Sequence, residues 1–181
     1  YIILLCYLSF DRCKAWKDSL TLWTDAVIKN PEVAETYRMR GKYFYDNQNF
    51  ENALSDYNKA IDLRPSSHTA YKDRGSIYYQ KGMLDKAVQD YNTALSLYPA
   101  WAEAYYDRGV AYLKGGNYDN ALIDFNRAIS LKPQFPLSYV NKGVVYIQTK
   151  QYQLAIVEFN KAVGLNPAIY DAYYNRGMAY F

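Results

Sequence analysis

The stretch Ala104–Pro133, AYYDRGVAYLKGGNYDNALIDFNRAISLKP, decides the fold because its landmarks recur at one fixed interval. Prolines stand at Pro31, Pro65, Pro99, Pro133 and Pro167, and glycines at Gly41, Gly75, Gly109, Gly143 and Gly177, with a step of 34 residues in both ladders. Two independent ladders with one step mark a stacked repeat array, in which each unit buries its apolar face against its neighbours.

Within the stretch, Tyr105 and Tyr112 lie two helical turns apart and point to one side of a helix, with Gly109 between them. The same aromatic pair occurs as Tyr37/Phe44, Tyr71/Tyr78 and Tyr139/Tyr146. Glycine in mid-helix costs about 1 kcal/mol against alanine, so its recurrence predicts a neighbouring helix too close to admit a side chain. A polar turn follows: Gly115-Gly116-Asn117 here, and Asp46-Asn47-Gln48-Asn49, Lys81-Gly82 and Thr149-Lys150-Gln151 elsewhere. The second helix carries Tyr118, Ala121, Phe125, Ala128 and Leu131, and alanine beside a large ring predicts close packing with the ring filling the gap. The proline two residues after the leucine stops it. Asp56 with Lys59, Asp124 with Arg127 and Glu158 with Lys161 are expected as i, i+3 pairs on its outer face.

Four units result: 34–67, 68–101, 102–135 and 136–169. Residues 170–181 form a further first helix, with Tyr173, Gly177 and Tyr180 in register. Its bare apolar face predicts more repeats in the full protein or end-to-end self-association. Residues 11–33 are expected as a degenerate capping helix that runs from residue 11 to Asn30, with Trp16, Leu20, Trp23 and Val27 on one face. Residues 1–10, YIILLCYLSF, are apolar over about half the length a bilayer span needs. They suit a buried capping helix or the end of a membrane helix, the latter with Tyr7, Phe10, Arg12, Lys14 and Lys17 at the interface.

The net charge of +3, from 21 basic and 18 acidic side chains, is too balanced for a nucleic-acid partner. Catalytic chemistry has no visible constellation, so the chain is expected not to be an enzyme. His68 is the only histidine, and Cys6 and Cys13 sit apart from it in the N-terminal segment, which leaves no N/S ligand set for zinc and implies no cofactor. Gly115-Gly116-Asn117 lacks the strand, lysine and spacing of a phosphate loop. Asp73, Asp107, Asn141 and Asn175 recur beside Arg74, Arg108, Lys142 and Arg176, which suits a structural role better than catalysis.

In one unit the landmarks run Tyr105-x2-Arg108-Gly109-x2-Tyr112…Ala121-x3-Phe125…Pro133. This pattern, repeated over about residues 34 to 181, resembles the tetratricopeptide repeat (TPR). It departs from the repeat in having tyrosine for the opening tryptophan, and Arg40, Arg74, Arg108, Lys142 and Arg176 for leucine. The resemblance implies an all-α fold, a right-handed superhelical TPR solenoid of antiparallel helix pairs whose first helices line a concave groove for a protein or peptide. It places in that groove Arg38, Lys42 and Tyr45 from the first unit, and Lys72 and Tyr79 from the second. Tyr106, Val110 and Leu113 follow from the third, and Leu137, Val140, Val144 and Ile147 from the fourth. Such a groove grades from basic and aromatic to apolar. Val140, Val144 and Ile147 suit equally a role packing under the helix that follows. Positions matching the clamp for chaperone-tail carboxylates hold Arg38, Lys42, Asp73, Glu103 and Asp107, and three acids repel such a tail.

A second resemblance rests on Arg12–Trp23 after the apolar end. This stretch looks like the junction of multi-pass membrane proteins that join an O-mannosyltransferase-like domain to C-terminal TPRs. It implies an alternative function, an accessory domain that positions protein substrate for a membrane glycosyltransferase whose catalytic part lies upstream. The full-length protein is then membrane-associated. Arg12, Lys14 and Lys17 favour the cytoplasmic side, the resemblance favours the opposite one, and the compartment stays open.

Overall fold

A computed structural model describes residues 18–180. Among them are ten α-helices and no strand: α1 Ser19–Lys29, α2 Ala34–Asp46, α3 Phe50–Leu63, α4 His68–Gln80, α5 Leu84–Leu97, α6 Ala102–Lys114, α7 Tyr118–Leu131, α8 Pro136–Gln148, α9 Tyr152–Leu165 and α10 Tyr170–Tyr180. The chain forms two compact units, Tyr1–Ile77 and Tyr78–Phe181, with the boundary in the last turn of α4.

In the first unit, α1 starts at a reciprocal cap. The backbone N–H of Thr21 donates to Asp18 Oδ1 at 2.8 Å, and that of Asp18 donates to Thr21 Oγ1 at 3.3 Å. Asp18 is extended (φ −154°, ψ 174°), so the helix expected to run continuously from residue 11 instead begins at Ser19. Trp16, the cysteines and the apolar stretch 1–10 lie outside the described residues. No helix among the described residues is long and apolar enough to cross a membrane. α2 and α3 then form a hairpin whose core joins Ala53 and Tyr57 to Ile77, flanked by Phe44, Tyr45, Phe50 and Leu54.

The second unit repeats this hairpin as α6/α7 and α8/α9. Ala121 and Phe125 pack with Val145, and Ala155, Phe159 and Ala162 pack with Ile169, Ala172 and Ala179. The chain reverses between paired helices through one left-handed residue: Gln48 (φ 59°), Gly82 (φ 74°), Gly116 (φ 75°) and Lys150 (φ 59°). Glycine adopts this conformation freely, whereas glutamine and lysine pay about 1–2 kcal/mol for it.

At three of the mid-helix glycines the helix that approaches is the hairpin partner. A Cβ on Gly41 would sit 2.8 Å from the Tyr57 ring, one on Gly109 2.8 Å from Phe125, and one on Gly143 2.5 Å from Phe159. These rings are 1%, 0% and 0% exposed, so each fills the notch its glycine leaves.

The acids expected on the outer face of the second helices are buried instead. Asp56, Asp124 and Glu158 are only 4%, 1% and 6% exposed. Arg40 donates from Nε and Nη2 to the two carboxylate oxygens of Asp56 at 2.8 and 2.7 Å, and Arg108 does the same to Asp124 at 2.8 and 2.7 Å. In the fourth repeat Lys142 reaches Glu158 at 3.1 Å. Of the expected i, i+3 pairs, Lys161–Glu158 forms at 3.2 Å, whereas Arg127 lies over the Tyr105 ring. A carboxylate at these places would be too costly to bury unless an in-register cation reached it across the hairpin.

Gly143→Ala should destabilise the chain by about 1–3 kcal/mol through overpacking against Phe159. Gly177→Ala should gain up to about 1 kcal/mol from helix propensity, because a Cβ there meets nothing within 4 Å. Urea unfolding of both variants checks the contrast, and equal losses would contradict the ring-and-notch account. Ser138 is 0% exposed and its hydroxyl has no hydrogen-bond partner, while Ala70, Ala104 and Ala172 hold the same place in other repeats. Ser138→Ala should therefore raise stability by about 1 kcal/mol in the same assay.

Candidate peptide-binding groove

In the first unit the cations expected to face a ligand are already engaged. Arg38 donates from Nη2 to Glu35 at 2.6 Å and from Nη1 to Asp73 at 2.9 Å. These bonds hold the guanidinium more firmly charged than usual, and the Arg38 bond holds the Glu35 carboxyl below its ordinary range. Burial pushes the Asp73 carboxyl up, against the pull of Arg38. Lys42 reaches Asp46 one turn on at 3.2 Å. Tyr45 is tilted against Phe50 at 5.8 Å and belongs to the core wall. Lys72 is half-buried. The basic end expected from the sequence is therefore largely neutralised by acids of the chain itself.

In the second unit, Tyr79 is capped by the Lys114 ammonium, 4.5 Å from its ring centroid. Tyr106 is half-buried on α6, 4.9 Å from Phe135 and 6.1 Å from Phe125, and its hydroxyl accepts from Asn141 Nδ2 at 2.9 Å. Burial, followed by the charge of Asp107, pushes that hydroxyl up to about 12, and Asp171 adds to the shift. Val110 and Leu113 are half-buried beside it. On α8, Leu137 is 42% exposed but Val140 is only 5% exposed. Val140 belongs to the core with Ile169 and Ala172, and Val144 and Ile147 pack against that core. Val140 thus leaves the set of residues that a ligand could touch, because α10 covers it.

One pair of residues outside the sequence-derived set continues the row. Tyr174 and Met178 on α10 stand 34 residues beyond Val140 and Val144 and are 58% and 54% exposed. The register itself signals them, since they hold the groove places of a fifth first helix. Among the described residues no group of three or more histidine, cysteine or acidic side chains is arranged to hold a metal ion.

The chain belongs to the tetratricopeptide-repeat family. Family models described as TPR repeat match residues 41–82 and 75–116, and models described as tetratricopeptide repeat match residues 102–135 and 137–169, together more than half of the chain. None of these models reaches residues 12–23, where the resemblance to O-mannosyltransferase-like proteins rests. No curated protein matches the sequence. Among solved structures the chain is similar to YrrB, described as a TPR protein with an unusual peptide-binding site, at 26% identity and a TM-score of 0.74 over 87% of this chain and 81% of that one. It is similar to MamA at 26% identity and a TM-score of 0.75, over 82% of this chain and 86% of that one. The first TPR domain of Spaghetti (RPAP3), solved with an HSP90 peptide, shares the fold at 19% identity and a TM-score of 0.61, over 62% of this chain and 90% of that one.

The Tyr106 hydroxyl gives a pH prediction. Its pKa is raised in the folded state, so the unfolded chain loses this proton first, near the ordinary value of about 10. The associated stability is complete below about pH 10 and falls as pH rises towards 12. Tyr106→Phe should lose the Asn141 bond at every pH but show a shallower alkaline decline. Urea midpoints at pH 9 and pH 11.5 compare the slopes, and parallel slopes would refute the assignment.

Proposed function

We propose that the chain is a non-enzymatic scaffold that holds an extended segment of a partner protein along α6, α8 and α10. The observation that carries this reading is the row of incompletely covered apolar side chains on successive first helices: Val110 and Leu113, then Leu137, Val144 and Ile147, then Tyr174 and Met178. A row of this kind on one face of a repeat array offers an extended peptide a line of apolar footholds. The peptide-binding site named for YrrB supports the reading. The paired state of Arg38 and Lys42 argues against an acidic tail as the ligand in the first unit.

Peptides selected from a random library on the folded chain provide the test, with affinities measured by fluorescence anisotropy. Leu137→Glu and Met178→Glu should each weaken the selected peptides by about tenfold or more, equivalent to about 1.4 kcal/mol. Ile123→Glu serves as the control, because Ile123 is 63% exposed on α7, a second helix. Binding that survives both groove variants, or that is lost equally in the control, would refute the groove.

A further inference from the structure

The second unit carries an aromatic and acidic patch at one end of the apolar row. Tyr170 and Tyr174 are stacked one turn apart on α10, 6.4 Å between ring centroids and 21° between planes. They are 75% and 58% exposed. Asp171 lies in the same turn and is also exposed. Among the described residues no ion pair neutralises it. Its charge is felt at the Tyr106 hydroxyl on α6. Lys132 holds Glu103 at 2.6 Å and Lys114 sits on the Tyr79 ring.

We propose that this groove prefers a peptide segment in which apolar residues alternate with lysine or arginine, and that Tyr170, Asp171 and Tyr174 receive a basic side chain. The proposal rests on the groove assignment above and adds the chemistry of the ligand. Tyrosine faces attract cations, and a carboxylate beside them supplies the counter-charge. Lys114 over Tyr79 shows the chain using the same contact internally. An acid in the first turn also offsets the positive end of a helix. That duty does not engage the two exposed rings, which a bound cation engages together with the carboxylate. In an extended segment alternate side chains face opposite ways, so apolar residues can face Val144 and Met178 while a flanking base turns to Asp171. The exposed Asp171 carboxylate disfavours acidic segments and so discriminates between partners of equal hydrophobicity.

The test uses a labelled octapeptide, GVKLSVKL, and its counterparts with both lysines replaced by glutamine or by glutamate. Anisotropy at 50 mM salt should rank lysine over glutamine over glutamate, with about tenfold or more between the extremes, and 300 mM salt should shrink the gap. Asp171→Lys should reverse the order, and Tyr174→Ala should weaken the lysine peptide selectively. Both side chains are exposed, and circular dichroism verifies that each variant is folded. Equal affinity for all three peptides would overturn the charge preference and leave the groove standing. Failure of all three to bind at millimolar concentration would overturn both. Binding that ranks correctly but ignores the Asp171 and Tyr174 variants would overturn this placement of the cation.

Discussion

Arg108 ties three helices together, and the stack depends on contacts of this kind. From α6 it grips Asp124 on its partner helix α7 with two hydrogen bonds, and it reaches back to Asn92 on α5 at 2.6 Å. Its guanidinium also lies 5.5 Å from the Tyr105 ring centroid. One side chain therefore sets the hairpin and the step to the preceding second helix at once. Arg74 with Asn58 and Arg176 with Asn160 repeat the backward reach at 2.8 and 2.6 Å. A buried ion pair adds little net stability, because desolvation offsets much of the attraction. Breaking one, however, strands a charge, so a helix displaced by one turn would pay for Asp124 without its partner. The contact therefore acts mainly on register, while the burial of Phe125 and its counterparts supplies the cohesion.

This network also accounts for the two departures from the repeat pattern. Tyrosine replaces tryptophan, and arginine or lysine replaces leucine, three residues apart on one helical face. In Tyr37/Arg40, Tyr71/Arg74, Tyr105/Arg108 and Tyr173/Arg176 the cation lies 5.2–5.7 Å from the ring centroid. The substitutions belong together: the cation stands in the leucine place, and the ring beside it becomes its platform. The fourth repeat supports the coupling. There lysine replaces arginine and glutamate replaces aspartate at the same time, Lys142 with Glu158, and the bridge persists at 3.1 Å.

The architecture was legible from the chain because it is written at a fixed interval. Glycine, alanine, ring and proline each have one steric duty per repeat, and fivefold redundancy in spacing exposes it. The clasp was equally periodic, yet Asp124 and Arg127 suggested a surface pair because i, i+3 spacing is the local rule for helices. Arg108 and Asp124 are 16 residues apart, across a turn, and only the packed hairpin reveals that they meet. The groove was less legible for a different reason. Periodicity says which side of a helix a residue occupies, but not whether its neighbour has already satisfied it. Arg38 occupies a groove place and is held by Glu35 and Asp73, and Val140 occupies one and is covered by α10.

The groove's character follows from how neighbouring first helices are joined. The residue at the place of Arg38 bonds to the residue 35 positions on: Arg38 to Asp73 as an ion pair, and Asn141 to Tyr106 as a neutral bond. Between α8 and α10 the corresponding residues are Val140 and Asn175, and no such bond can form. Asn175 instead turns back to the carbonyl of Asp171 at 2.8 Å, and Val140 sinks into the core. The polar link is replaced by an apolar contact, and Tyr170, Asp171 and Tyr174 at that end are exposed. Since Arg108, Gly143 and Phe159 hold the helices in place independently, the residue at each link can change without disturbing the stack. A charged link consumes a groove charge, a neutral one leaves a half-buried ring, and where none forms Asn175 bonds within its own helix. The surface of the first helices can therefore vary along the array while the fold stays constant.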